Sequence, residues 1–284
     1  MLTEGKIKEL RKFSIQIQME VVKSICKLGV GHVGGSLSIA DVLAVLYGEH
    51  MKHDPKNPRW EGRDWLVCSK GHAGPAVYAA LALKGFMPMS ELDTLNQPGT
   101  HLPSHCDRNL TPGVDMTTGS LGQGASTAAG VAKAHKLNGM DNIIYLILGD
   151  GEINEGQIWE MALFAPQHQL DNMIAFVDCN KLQIDGFTKD ILDLGDIERK
   201  FADFGWFAQS VDGHDVVLIS EAIDRAKLEK GRPSLIVLHT QKGHGWGRIT
   251  NQVGSHSMNI SCELRDEALL EMQEAMKKLQ GGNA

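Results

Sequence analysis

Gly149-Asp150-Gly151 follows directly on the apolar run Ile143–Leu148, and Asp178-Cys179-Asn180 ends a second such run, Met173–Val177. A carboxylate and an amide oxygen delivered by two neighbouring segments suit a small hard cation. Mg²⁺ and Ca²⁺ take oxygen ligands, and Mg²⁺ leaves much of its shell to phosphate and water. The glycines flanking Asp150 let a diphosphate approach the backbone closely. A helix starting near Glu155 would turn the positive end of its dipole toward the same anion. Read alone, Gly-Asp-Gly is a tight turn and Asn180 a loop cap. The stretch between Asp150 and Asn180 has the size of a strand–helix–strand unit, and that favours a shared ion.

Histidines supply the second set of reactive groups. Of the twelve, four stand in the segments Gly31-His32-Val33-Gly34-Gly35, Lys70-Gly71-His72-Ala73-Gly74, Leu102-Pro103-Ser104-His105 and Gly254-Ser255-His256-Ser257. Singly, each would be an ordinary structural or surface residue. Imidazole gives and takes protons near neutral pH, so several together suit chemistry on hydroxyl and carbonyl groups. Thr118-Gly119-Ser120-Leu121-Gly122-Gln123-Gly124 and the Gly-Asp-Gly segment lie between the third and fourth.

Taken in order, these segments resemble the N-terminal, thiamine diphosphate-binding half of transketolases, from about Leu10 to Ser257. The resemblance implies that Asp150 and Asn180 ligate a metal through their side chains and Leu182 through its carbonyl. The metal would be Mg²⁺, with Ca²⁺ or Mn²⁺ as alternatives. Gly151 would offer its amide to the diphosphate, and His72 would contact it. Gly119 and Leu121 would lie against the aminopyrimidine ring, and Ile184 against the thiazolium. His32 and His256 would handle protons at the substrate, while His105 would hold the donor's terminal hydroxyls. Glu155 matches an acidic position near the cofactor and the dimer contact; it is equally well read as a first-turn glutamate on a helix dipole. Three positions depart from the pattern: Cys179 where Asn or Asp is frequent, Val33 where Pro is common, and His105-Cys106-Asp107 where relatives often read His-Pro-Glu or His-Pro-Asp.

The elements that must position these groups alternate. Ile143–Leu148, Met173–Val177 and Leu235–Leu238 are apolar without polar interruption, as expected for parallel strands covered on both faces. Trp65–Cys68 and the stretch Trp206–Val211 are weaker strands. Helices are expected over Leu121–Leu137, Gly156–His168 and Val216–Lys230. In the first half they are expected over Lys6–Leu28, Ile39–Glu49 and Ala73–Leu83, and at the end over Arg265–Leu279. The expectation is a doubly wound α/β fold with a mostly parallel sheet and helices on both faces, formed by one domain over residues 1–284. In such a sheet ligands gather at the C-terminal strand ends, where Asp150 and Asn180 stand.

Composition narrows the partners. The formal net charge is −7, and no run of Lys and Arg stands out, which argues against nucleic acid and anionic membranes. The five cysteines are scattered without a Cys-x-x-Cys pair, and the first twenty residues lack the apolar core of a signal peptide. Both fit a cytoplasmic protein. Gly29-Val30-Gly31-His32-Val33-Gly34 satisfies a dinucleotide fingerprint but follows a helical segment instead of a strand, so that reading fails. Lys242–Gly247 reads as a flexible loop.

The resemblance further implies a separate partner chain. In full-length transketolases a pyrimidine-binding domain follows this one and presents a glutamate to the cofactor. The expected enzyme is therefore a split transketolase that moves a two-carbon ketol unit from a ketose, often phosphorylated, to an aldose. Its two chains would pair as α₂β₂. The competing readings are a thiamine-dependent decarboxylating synthase or one chain of a 2-oxo acid dehydrogenase, and a non-catalytic module retaining the cofactor fold. The ordered histidines favour sugar hydroxyls over pyruvate.

Overall fold

The computed structural model describes residues 2–184 and 186–281. Ten α-helices form within them: α1 (Glu4–Leu28), α2 (Gly34–Leu37), α3 (Ala40–Val45), α4 (Gly74–Leu83), α5 (Gln123–Leu137), α6 (Gly156–Gln167), α7 (Thr188–Ile191), α8 (Ile197–Asp203), α9 (Val216–Leu228) and α10 (Cys262–Gly281). The strands are β1 (Val30–Gly31), β2 (Trp65–Cys68), β3 (Ile144–Gly149), β4 (Met173–Cys179), β5 (Leu182–Gln183), β6 (Gly186–Phe187), β7 (Phe207–Asp212), β8 (Ser234–His239) and β9 (Met258–Asn259).

Local chemistry sets the ends of these elements. Thr3 caps α1, its hydroxyl oxygen accepting from the Lys6 amide, and Gly29 ends that helix at a φ of 97°. Asp215 caps α9 by accepting from the amides of Val217 and Leu218. Along α1 the residues Leu10, Ile17, Val21 and Ile25 form one buried face, the spacing of an amphipathic helix.

Five strands make the central sheet in the order β2-β3-β4-β8-β7, every neighbouring pair parallel. Alternate residues of β3 and β4 enter two different cores. Tyr145, Ile147, Ile174 and Phe176 pack toward the side of α1, α3, α4 and α9. Ile144, Leu146, Leu148, Ala175 and Val177 pack toward α5, α6 and α8. Strands buried on both faces explain the unbroken apolar runs. Two short antiparallel ribbons complete the pairing: β1 with β9, and β5 with β6.

The expected helices and strands form, with ends shifted by a few residues. The segment expected as one helix over Ile39–Glu49 is α3 followed by a wider turn, Leu46–His50. The final helix starts at Cys262, three residues before its expected start. Asp185 and the Gly282–Ala284 end lie outside the described residues.

Candidate active site

Four parallel strands aim their C-terminal ends at one cavity of about 470 Å³. Past β2 come Lys70 and His72; past β3, Asp150 and Gly151; past β4, Asn180 and Leu182; past β8, Lys242. Loops bring His32, His105, Gly119, Leu121 and His256 to the same wall, and Ile184 and Glu155 to the rim. Every residue named in the sequence for metal, cofactor or substrate thus lines this one cavity.

Asp150 and Asn180 meet as the adjacent strand ends require. The Asp150 carboxylate accepts from the Gly151 amide at 2.8 Å and from the Lys181 amide at 2.5 Å. Lys181 adopts a left-handed φ of 65°, which turns the chain so that Leu182 follows Asn180 around the carboxylate. Asn180 donates from Nδ2 to Asp178 at 2.9 Å, and its Oδ1 accepts from the Leu182 amide at 3.1 Å, keeping a second lone pair.

Electrostatics makes this spot favourable to a cation. Burial, and then the nearby charge of Asp178, push the Asp150 carboxyl up to about 7. A divalent ion beside it would restore the charged form, and the oxygen donors present are those Mg²⁺ or Ca²⁺ take. Nearby, the buried Oδ1 of Asn154 has no hydrogen-bond partner among the described residues, although its Nδ2 donates to Gln183. Across the cavity Gly119 has a φ of 141°, and a Cβ there would come within 2.9 Å of the His105 ring. Only glycine leaves that space open. The site therefore fits a metal-bound diphosphate and a flat ring.

The four histidines converge, although they span the chain from residue 32 to 256. His32 lies 5.5 Å from His72, 5.7 Å from His105 and 5.2 Å from His256, ring centre to ring centre. All four are held below the usual imidazole range, chiefly by burial. For His256, burial and then the Lys242 ammonium bring it down to about 4. Neutral imidazoles can both donate and accept. The Lys242 ammonium donates to Nδ1 of His256 at 3.2 Å, which puts the His256 proton on Nε2. Glu155 is exposed and directly precedes α6, where either of its readings has room.

Four site residues were not singled out from sequence. Lys70 Nζ donates to Asp178 Oδ2 at 2.5 Å in a sealed ion pair. Lys70 pulls the buried Asp178 carboxyl below its ordinary value although burial, the largest influence, opposes it. Glu152 binds the hydroxyl of Ser69 and accepts from the amides of Gly122 and Gly149, tying two loops to the end of β3. Lys242 is buried, and Trp246 is fully so, which corrects the reading of that segment as a flexible loop. A Lys-Gly-His run and a Gln-Lys-Gly run were visible in the sequence; what each lysine faces is set by strand order.

Known proteins share this sequence pattern and fold. Residues 11–275 match the family model described as transketolase, thiamine diphosphate binding domain. The chain is 52% identical over 269 residues to the 6-deoxy-6-sulfo-D-fructose transketolase subunit SqwG of Clostridium sp. (strain MSTE9), covering 93% of this chain and 98% of that protein. It is 34% identical to an apulose-4-phosphate transketolase subunit of Phocaeicola vulgatus, over 98% of this chain and 99% of the relative. The crystal structure of transketolase from Campylobacter jejuni superposes with a TM-score of 0.85 at 30% identity, over 98% of this chain and 46% of that longer one. This chain belongs to the transketolase family, as a subunit that comprises its thiamine diphosphate-binding domain.

Proposed function

We propose that this chain, with a partner subunit, removes a two-carbon ketol unit from 6-deoxy-6-sulfo-D-fructose and hands it to an aldose. The observation that carries the donor assignment is the 52% identity, across nearly the full length of both chains, to a subunit named for that sugar. Similarity to the apulose-4-phosphate subunit is 34%. Removing carbons 1 and 2 from the six-carbon ketose leaves a four-carbon aldose with the sulfonate at carbon 4, and the acceptor grows by two carbons.

When bound, thiamine diphosphate supplies the centre that holds the electron pair as the ketose C–C bond breaks. On this reading Asp150, Asn180 and the Leu182 carbonyl hold Mg²⁺, which neutralises the diphosphate. His72 would face the same phosphates, and the Gly151 amide, which donates here to Asp150, would turn to them once the ion takes up that carboxylate. Gly119, Leu121 and Ile184 present flat, small or apolar surfaces to the two rings. His256, its proton on Nε2, donates to the carbonyl oxygen of the sugar as negative charge develops there. His32 takes the hydroxyl proton whose loss lets the C–C bond break, and His105 binds hydroxyls farther along the chain. Neutral imidazoles suit these roles, because each must change proton partners within one turnover.

The partner supplies the pyrimidine-binding domain and the glutamate facing the aminopyrimidine. Two such pairs assemble as α₂β₂, with the site between chains, in the cytoplasm. The test is to co-express the pair, add thiamine diphosphate, Mg²⁺, the sulfo-sugar and an aldose phosphate, and follow the four-carbon sulfo-aldose by mass spectrometry. Use of fructose 6-phosphate but not the sulfo-sugar would leave ketol transfer standing and overturn the donor. Pyruvate consumption with release of carbon dioxide, and no ketol transfer, would overturn the reaction class.

A further inference from the structure

A second group of polar side chains lies behind the cavity wall. Asp41, in the first turn of α3, accepts from the Ser14 hydroxyl at 2.6 Å and pairs through its other oxygen with Nδ1 of His214 at 2.9 Å. His214 stands in the turn between β7 and α9. Its Nε2 accepts from the backbone amide of Gln241 at 2.8 Å. A backbone N–H can only donate, so Nε2 carries the lone pair, and the His214 proton sits on Nδ1, directed at Asp41. Donation therefore converges on the Asp41 carboxylate, from Ser14 on one side and through His214 from Gln241 on the other, and the His214 tautomer is assigned.

Gln241 directly precedes Lys242. The Lys242 carbonyl accepts from the Asn251 amide at 2.8 Å, and the Gly243 amide donates to the Gly34 carbonyl at 3.0 Å. These bonds hold the segment on its far side, and His214 holds its near end. Between them the buried ammonium of Lys242 reaches His256. Among the described residues no carboxylate pairs with Lys242, and burial, followed by the Lys70 charge, brings it down to about 8. Burying an ammonium without a directly bonded carboxylate is costly, and Asp150 and Asp178 offset this only through space.

We propose that His214, oriented by Asp41, is a positioning residue that sets the place of Lys242 against His256. The catalytic consequence rests on the ketol-transfer reading; the structural role does not. Asp41, His214 and His244 also lie close enough to share an ion. Two features speak against that. Both His214 nitrogens are already engaged, and the His214 and His244 rings stack 3.5 Å apart and nearly parallel, so their in-plane lone pairs do not converge.

The experiment has two arms and a control. In the purified chain, hydrogen exchange at the Gln241 amide should quicken by roughly tenfold or more in His214→Asn, which keeps the reach to Asp41 but not to Gln241. It should slow again in His214→Gln, whose amide oxygen reaches the Nε2 position. Unchanged exchange in His214→Asn would overturn the proposal. In the assembled pair, His214→Asn should lower turnover by up to roughly 10²-fold, the scale of loss when a catalytic group moves by about 1 Å. It should add little to Lys242→Met, because both act through one group. Fully additive losses would mean a general structural role and would also overturn it. As the control, Zn²⁺ alone is titrated into the chain: an ion bound by the wild type but not by His214→Asn would make this a metal site instead. If no sugar is turned over by the pair, the functional reading fails while the exchange arm still decides the positioning role.

Discussion

Lys70 and Asp178 meet at 2.5 Å across the end of β3, Lys70 arriving from β2 and Asp178 from β4. The pair is closed to solvent, and Ser38, Thr240 and Asn180 complete the hydrogen bonding of the carboxylate. It braces the turn that carries Asn180 against the one that carries His72. Replacing Lys70→Met leaves Asp178 buried and uncompensated, a change that costs about 3–5 kcal/mol in comparable sites. Urea unfolding of the isolated chain measures it, and an unchanged midpoint would show that the pair contributes little to the fold.

Asp150→Ala removes the only carboxylate among the three proposed metal-holding groups. In the assembled pair, calorimetric affinity for thiamine diphosphate in the presence of Mg²⁺ should fall by more than the roughly 10–100-fold seen on losing an outer-shell partner. Undiminished affinity would remove the basis for placing the ion here.

His256→Ala should separate chemistry from binding. General acid–base groups contribute roughly 10²–10⁴-fold to rate, so turnover should fall on that scale while the cofactor dissociation constant changes far less. Were the cofactor lost and the residual rate normal at saturation, His256 would be a cofactor ligand and not a proton donor.

Gly34 approaches Ser255 so closely that a Cβ would lie 2.6 Å from the Ser255 backbone oxygen. Gly34→Ala must push apart the turns bearing His32 and His256. Overpacking of this kind costs about 1–3 kcal/mol, and turnover should drop with it. A variant of wild-type stability and rate would mean that these turns can separate freely.

His50 gives a pH signature away from the cofactor site. Burial, and then Lys227, hold it at about 4, with Ser220 on its Nε2. Its folded value lies below the unfolded value of 6.5, so its contribution to stability is present above pH 6.5 and is lost as pH falls toward 4. Compared with His50→Gln, which has no titrating group, the wild type should lose melting temperature faster over that interval. Parallel curves for the two proteins would refute the assignment.

The central sheet was legible because strands buried on both faces write unbroken apolar runs, as β3 and β4 do. Asp150 and Asn180 were legible for the same reason, since each stands at the end of such a run. Lys70 was visible only as the neighbour of His72, because nothing local reveals that β2 and β4 flank β3 and so bring Asp178 within its reach. Lys242 was hidden differently. Its glycine-rich surroundings suggest freedom, whereas Trp246, Asn251 and His214 pack and bond the segment into place. The network from Ser14 through Asp41 and His214 to Gln241 draws on four distant segments, and no spacing in the sequence announces it.

The two-residue ribbon of β1 and β9 pairs Val30 with Asn259 and Gly31 with Met258. It thereby splices the segment bearing His32 to the one bearing His256. During synthesis His32 emerges long before His256, and no stretch of the chain short of residue 259 can form this ribbon beside the cavity. A ribosome-bound fragment halted earlier should present an open, unfinished pocket, and closure should be among the slow, long-range events of folding.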